Sequence, residues 1–166
     1  MPDPYIMIQD TTEITYRKAT DKDINMLVDY RIKFLKEIMK SSPDLEIELR
    51  SSLAEYFLKS IRKREFVAWI AMYNQQPIAF SGMVIQTIPG HFTFITGKQG
   101  YILNMYTIPE ARKKGVGSAL VKRLLIEARK ANLSKLCLHT TKDGINIYKK
   151  AGFKETPWPY LELSLK

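Results

Sequence analysis

The chain has 166 residues, of which 45% are hydrophobic and 26% are charged, and it carries a net charge of +9 at pH 7. This size and composition are typical of one globular unit, so we expect residues 1–166 to form a single domain. We expect no signal peptide, the sequence has no apolar run of about 18 residues, and its one cysteine, Cys137, excludes an internal disulfide and a cysteine metal cluster. We therefore expect a cytoplasmic protein without a metal ion or a membrane partner.

The first half of the chain predicts a strand, two helices and a β-hairpin. Residues 13–19 form the strand, and Thr20 or Asp21 can cap a helix whose apolar residues continue at helical spacing to Ile38. Ser42-Pro43 breaks this helix, and a second runs from Asp44 to about Lys63. The β-branched and aromatic run Phe66–Tyr73 is typical of a strand, and Ile78–Ile88 returns as its hairpin partner.

The second half predicts an alternation of strands and helices after an irregular loop at residues 89–100. Its elements are a strand at Tyr101–Ile108, a helix at Ser118–Ala131, a strand at Lys135–Thr141, a short helix from Asp143 to about Gly152, and a last strand at Tyr160–Leu165. A strand, helix and strand in succession favour a parallel pair, whereas the hairpin and the tail should pair antiparallel. The prediction is an α/β protein with a mixed sheet and helices on both faces.

Residues 112–118, RKKGVGS, join the strand at Tyr101–Ile108 to the following helix and are suited to binding phosphate. Gly115 and Gly117 let the backbone approach a ligand, and the helix N-terminus offers free N–H groups to an anion. The spacing excludes a Walker A loop, and Leu120 stands where a dinucleotide fingerprint requires its third glycine.

Two motifs resemble the GNAT superfamily of N-acetyltransferases. Arg112, Gly115 and Gly117 match the Arg-x-x-Gly-x-Gly loop that binds the pyrophosphate of acetyl-coenzyme A, and Ile147–Phe153 (IYKKAGF) is similar to the family's LYEKxGF segment. The order of elements also agrees, so the resemblance covers nearly the whole chain. It implies the GNAT fold, with a central mixed sheet of six to seven strands, a bulged fourth strand and helices on both faces.

The resemblance also implies roles for individual residues. Backbone amides of the loop would surround the pyrophosphate, while the Arg112 side chain would reach a phosphate or hold the loop in place. The strand backbone at Met105 and Thr107, with Tyr106 between them, would pair with the pantetheine arm, and the Met105 amide would polarise the thioester carbonyl. Thr141 stands where the family often has an asparagine that contacts coenzyme A. The loop residues concerned are Lys113, Lys114, Gly115, Val116, Gly117 and Ser118.

Tyr148 lies where the family commonly has its general acid. Reference pKa values of about 10 for tyrosine and about 8.5 for a thiol make proton transfer to the leaving thiolate uphill by about 2 kcal/mol, which a suitable site can offset. The alternative is a core tyrosine whose hydroxyl satisfies a backbone group. The general base is left open, as are the roles of His139 and Asn104, if they have any.

The excess positive charge lies around the two motifs. Residues 112–150 contain eleven Lys and Arg residues and two acids, which accounts for the whole net charge of +9. Such a segment attracts a polyanion, either coenzyme A or RNA. Tyr148 is its one aromatic residue, whereas RNA binding calls for several, so we expect no nucleic-acid partner.

The predicted function is that of an N-acetyltransferase that moves the acetyl group of acetyl-CoA, its co-substrate, to a primary amine by direct attack in a ternary complex. The alternative is a non-enzymatic module that binds acetyl-CoA as a sensor. The acceptor amine, small molecule or peptide, is left open; ten acids against seven cations in residues 1–48 only weakly favour a cationic amine. The resemblance also allows a homodimer, although no residue here indicates one.

Overall fold

The computed structural model describes residues 6–165, which form one five-stranded sheet and four α-helices. The elements are β1 (Thr15–Lys18), α1 (Ile24–Ile38), α2 (Pro43–Arg62), β2 (Phe66–Tyr73), β3 (Gln76–Thr87), β4 (Lys98–Thr107), α3 (Val116–Lys130), β5 (Lys135–Leu138) and α4 (Ile145–Lys150). The strand order follows the chain, β1-β2-β3-β4-β5. β4 and β5 are parallel and every other pair is antiparallel, which confirms the predicted mixed sheet.

Local sequence signals set the ends of the first two helices. Thr20 and Asp23 form a capping box one turn before α1. The Thr20 hydroxyl accepts the backbone N–H of Lys22, and the Asp23 carboxylate accepts the backbone N–H of Thr20. Ser42 caps α2 by accepting the N–H of Leu45, and Pro43 occupies the first helical position, where no N–H is needed. The predicted break between the two helices is therefore correct.

Helices cover both faces of the sheet, as predicted. On one face, α1 and α2 pack Leu27, Tyr30 and Phe57 against strand residues that include Ile70 and Phe80. On the other face, α3 and α4 contribute a second set of buried side chains, which is Val116, Leu120, Val121, Leu124, Ala128 and Tyr148. The helices therefore bury the centre of the sheet on both faces. A binding site is then expected at the ends of the strands and the N-termini of the helices.

The prediction of six to seven strands is too high for the part of the chain that the structure describes. The predicted strand at Tyr160–Leu165 is wrong, because these residues follow Pro157 and Pro159 as an exposed segment without strand pairing. Their alternating leucines suit a strand, but a strand also needs backbone pairing, and none of the five strands among residues 6–165 pairs with this segment. The expectation of one domain over residues 1–166 includes residues 1–5 and 166, which lie outside the described range, and it stays a prediction.

Three element boundaries differ from those expected. β4 begins at Lys98, inside the predicted loop, and α3 begins at Val116, so that Gly117 lies in its first turn. β5 ends at Leu138, three residues early. The early end of β5 matters most, since it leaves the second half of β4 without a neighbour on that side.

A bulge in β4 and the short β5 together open the sheet. β4 pairs with β5 only from Gln99 to Ile102. Just beyond, the register with β3 shifts between Phe80 and Gly82, and Asn104 adopts a positive φ of 59°. A bulge turns the strand and releases part of its ladder. The result is a gap between the ends of β4 and β5, as the resemblance implies.

Candidate functional site

A groove of about 480 Å³ begins at this gap and lies between α1, β4, the start of α3 and α4. Several predicted site residues line it, namely Met105, Thr107, Gly117, Thr141 and Tyr148. Residues from β4, α3, α4 and the segment before α4 therefore meet in one depression. The groove holds both halves of the predicted site, the loop glycine and the tyrosine.

The groove wall on β4 is formed by the bulge. Asn104 is 2% exposed, and neither its side-chain oxygen nor its side-chain nitrogen has a hydrogen-bond partner among residues 6–165. A buried amide without partners costs free energy, so such an arrangement usually serves a ligand or a functional constraint. Next to it, Met105 turns its side chain into the core beneath α3.

The loop before α3 presents its backbone to solvent. Lys113 and Gly115 adopt positive φ values of 61° and 78°, which turn successive peptide groups toward one side. No acceptor among residues 6–165 takes the amide N–H groups of residues 113–118, and no side chain caps α3. Free amides at a helix N-terminus together with this backbone conformation form a site suited to an anion.

Gly117 is placed where a side chain would intrude. A Cβ atom at this position would lie 3.2 Å from Cδ1 of Ile147 in α4 and would project into the groove. Gly115, in contrast, has open space around it, and its positive φ is the reason for a glycine. The two glycines therefore have different structural roles.

The Arg112 side chain holds the loop in place. Its Nε donates to the carbonyl oxygen of Thr107 at 3.0 Å, and Nη2 donates to Oε1 of Glu37 at 2.6 Å. The guanidinium thus ties the loop to the end of β4 and to the last turn of α1. Of the two roles left open for Arg112, these contacts agree with fixing the loop. Lys113 and Lys114 are exposed and extend into solvent.

Tyr148 is buried, and its hydroxyl faces the groove without a hydrogen bond to any group among residues 6–165. Its ring packs edge-on against Phe153 at 5.8 Å between centroids. Burial raises the pKa of Tyr148 to about 12, because the phenolate is poorly solvated there. The alternative of a hydroxyl that satisfies a backbone group has no counterpart in these contacts.

Two predicted residues are placed differently from the rest. The Tyr106 ring points to the opposite face of the sheet and packs against Tyr30 at 5.5 Å, so only its backbone can face the groove. The Thr141 hydroxyl accepts the N–H of Gly144 and helps to start α4. Whether these residues contact a cofactor stays a prediction.

His139 lines the groove directly after the end of β5. Its Nδ1 forms a short hydrogen bond with the Tyr101 hydroxyl, and its ring meets Tyr160 of the tail at 4.6 Å. Burial is the main cause that raises the pKa of Tyr101. The two aromatic residues therefore hold the imidazole at the rim of the groove, where it faces any molecule that enters from this end.

One wall of the groove was not predicted from the sequence. Arg31, Phe34 and Ile38 of α1 line it, and Tyr101 lines it from β4. Their spacing of three and four residues places the three α1 side chains on one helical face, beside the apolar stripe. That periodicity was a usable signal, but only the packing of α1 over β4 shows that the face borders a groove.

Two further features lie apart from this groove. A second cavity of about 540 Å³ lies between α1, the start of β3 and the end of β4. Tyr106 is the one predicted site residue that lines it. Within residues 6–165, no three His, Cys, Asp or Glu side chains are grouped to hold a metal ion. No helix in the same range is both long and apolar enough to cross a membrane.

Comparison with known proteins gives one family and several solved structures. The Acetyltransferase (GNAT) family model matches residues 32–153. A predicted acetyltransferase from Clostridium acetobutylicum, crystallised with acetyl-CoA, is 37% identical with a TM-score of 0.81, covering 92% of this chain and 96% of that one. No curated protein sequence matches the chain significantly.

More distant structures share the fold. A GCN5-related N-acetyltransferase from Ralstonia eutropha JMP134 is 22% identical, with a TM-score of 0.80 and coverage of 90% of this chain and 98% of that one. A ribosomal-protein-alanine N-acetyltransferase from Brucella melitensis biovar Abortus 2308 is 16% identical, with a TM-score of 0.68 and coverage of 92% and 99%. The family model covers most of the chain, and the fold, the bulged strand and the loop agree with it. The chain therefore belongs to the GNAT family of acetyltransferases.

Proposed function

We propose that this protein is an N-acetyltransferase that transfers the acetyl group of acetyl-CoA to a primary amine in a ternary complex. The observation that carries the proposal is the convergence of three features in one groove: Gly117 in the first turn of α3, the bulge at Asn104, and the unpartnered hydroxyl of Tyr148. Each alone is common, but together they join an anion site to a proton donor. The crystallised acetyl-CoA in the Clostridium protein supports the same donor here.

The residues present fit coenzyme A at the loop. The free amides of residues 113–118 match the oxygens of a pyrophosphate, and the positive field of the segment 112–150 attracts it. Acetyl-CoA supplies an activated thioester. In our proposal the backbone of β4 at Met105 and Thr107 binds the pantetheine arm, since β5 does not pair with this part of β4.

The chemistry assigned to Met105 is electrostatic. The bulge shifts the register of β4 with β3, and β5 does not pair with β4 beyond Ile102, so backbone groups of β4 are left beside the groove. In our proposal the amide N–H of Met105 donates to the thioester oxygen as negative charge develops on it. Such a donor acts in the transition state more than in the ground state, which is how a preorganised hydrogen bond accelerates a reaction.

The chemistry assigned to Tyr148 is proton donation to the leaving sulfur. With the pKa of Tyr148 raised to about 12, full transfer to a thiolate of pKa about 8.5 is uphill by about 5 kcal/mol, more than reference values imply. The hydroxyl therefore stabilises the thiolate by a hydrogen bond as the carbon–sulfur bond breaks. The attacking nitrogen loses a proton as the amide forms, and an equivalent proton neutralises the thiolate, so that the products are the amide and the free thiol of coenzyme A.

Two variants separate binding from chemistry. Gly117→Glu should abolish acetyl-CoA binding, because it adds bulk against Ile147 and a negative charge at the anion site. Tyr148→Phe should bind acetyl-CoA like the parent and slow turnover by about 10²- to 10⁴-fold, the range for one general acid. Calorimetry measures binding, and the appearance of free thiol with a panel of amines measures turnover.

The outcomes distinguish the proposal from its alternative. Thiol release that depends on Tyr148 supports the enzyme. Tight binding of acetyl-CoA without thiol release for any amine would instead favour a cofactor sensor. A Tyr148→Phe variant with parental turnover would remove Tyr148 from the mechanism while leaving the transferase intact.

A further inference from the structure

Arg31 is a cation in the groove without a carboxylate partner. It lies on α1, half-buried, with its guanidinium carbon 5.7 Å from the centre of the Phe34 ring. Among residues 6–165 it forms neither a hydrogen bond nor an ion pair, whereas Arg50 on the neighbouring helix pairs with both Asp29 and Glu46. Burial lowers the pKa of Arg31 from its usual value, in keeping with incomplete hydration. A charge in this position gains from an incoming anion.

The rest of the groove provides no negative charge. Its described lining contains no Asp or Glu side chain. Three of the acids on α1 and α2 are paired with cations, Asp29 with Arg50, Glu37 with Arg112, and Glu46 with Lys36 and Arg50. None of the acids among residues 6–48 lines the groove, and the expectation of a cationic acceptor loses its support.

Arg31 lies at the acceptor end of the groove. The ion pair between Glu37 and Arg112 places the last turn of α1 beside the phosphate loop. Arg31 is six residues earlier, about 9 Å back along the helix axis. The positive charge of Arg31 interacts with the Tyr101 side chain, which lies in the first half of β4, six residues before Thr107. Along β4, Met105 lies between Tyr101 and Thr107, and Tyr148 lines the same groove, so a donor held at the loop and an acceptor at Arg31 would meet near Met105.

We propose that the acceptor is a small amine that carries an oxyanion, a carboxylate or a phosphate, and that Arg31 binds this group while the amine faces Met105 and Tyr148. This inference rests on the proposed function and names its substrate class. A guanidinium binds either group through two parallel hydrogen bonds, which fixes the orientation of the molecule as well as its affinity. Polyamines and other amines without an anion should be poor acceptors, because nothing in the described lining neutralises them.

The test compares amines that differ only in the anion. Suitable pairs are β-alanine with its carboxamide, an L-α-amino acid with its carboxamide, and phosphoethanolamine with ethanolamine, with spermidine as a polycation. The variants are Arg31→Met, which keeps most of the side-chain length, and Arg31→Lys. Lys40→Met is the matched control, since Lys40 is an exposed cation just beyond α1 that does not line the groove. Thiol release measures transfer, and calorimetry in the presence of coenzyme A measures acceptor binding without reaction.

The parent and the control should favour the anionic member of a pair by at least about tenfold in kcat/KM, the value of one charge-assisted hydrogen bond. Arg31→Met should lose this preference, mainly through KM, while its affinity for acetyl-CoA stays unchanged, and Arg31→Lys should recover part of it. The carboxylate and phosphate pairs show which oxyanion is bound.

Three results decide the matter. Efficient transfer to neutral or polycationic amines, or a preference that survives Arg31→Met, would overturn the inference. Binding of anionic amines that depends on Arg31 without thiol release would support the anion site and contradict the transferase. Failure of the anionic amines both to bind and to react would also overturn it.

Discussion

At the scale of single residues, Tyr148 shows how position changes chemistry. The motif around it marks a tyrosine, but the burial of its ring raises its pKa to about 12 and its hydroxyl is left without a partner. It therefore stays protonated at every pH at which the protein would act. An alkaline decline of turnover below about pH 10 should not come from this group.

The raised pKa also predicts a dependence of stability on pH. The folded pKa of Tyr148 lies above the unfolded value of about 10, so its contribution is complete below pH 10 and is lost as the pH rises toward 12. Between pH 8 and pH 11 the parent should lose about 1 kcal/mol of unfolding free energy relative to Tyr148→Phe. Urea denaturation of both proteins at the two pH values measures this. An unchanged difference would mean that the phenol is as well solvated in the folded state as in the unfolded chain.

At the scale of elements, the loop before α3 is positioned by contacts outside itself. Arg112 joins β4 through the Thr107 carbonyl and α1 through Glu37. Both charged side chains are partly exposed, so the ion pair itself contributes at most about 1 kcal/mol to stability. Its effect is to hold the free amides of residues 113–118 at a fixed place beside the groove.

Glu37→Gln tests whether this contact fixes the loop. With the ion pair removed, the loop should be less well ordered, and the Kd for acetyl-CoA should rise by about two- to fivefold, as expected for a loss below 1 kcal/mol. Glu110→Gln is the control, because Glu110 is exposed and has no ion pair among the described residues. A lower Kd in Glu37→Gln would show the opposite, that a released Arg112 binds phosphate directly.

At the scale of the whole molecule, the charge is divided between two ends of one groove. The loop end carries the exposed side chains of Lys113 and Lys114, and the other end carries Arg31. Both are positive, which suits a polyanionic donor at one end and an anionic acceptor at the other. The same field would repel polycations from either entrance.

Salt should therefore weaken donor binding. Raising the ionic strength from 0.05 to 0.5 M should increase the Kd for acetyl-CoA several-fold, since the Debye length falls well below 10 Å. Dephospho-coenzyme A, which lacks the 3′-phosphate, should show a shallower dependence than coenzyme A. Calorimetry across a salt series measures both slopes. Parallel slopes would mean that the 3′-phosphate lies outside the positive field.

The sequence alone was sufficient where a signal is local. Helical periodicity, the caps and proline before α1 and α2, and the aromatic content of β2 predict most elements, and the two short motifs predict the family that the comparisons confirm. The predicted strand at 160–165 failed because alternation describes a side-chain pattern, while a strand also needs a neighbouring backbone. Its leucines have the pattern, but their backbone is not paired with any of the five strands among residues 6–165.

What the tertiary structure decided depends on contacts between distant segments. The partners of Arg112 are 5 and 75 positions away, so no motif could tell whether its side chain holds the loop. The unpaired state of Arg31 and the absence of acids from the described groove lining likewise appear only when α1 lies over β4. Sequence by itself determined the family, the order of elements and the donor half of the predicted reaction, because these follow from short-range patterns of residues. The shape and charge of the acceptor end were decided by packing, since burial and pairing belong to the assembled fold.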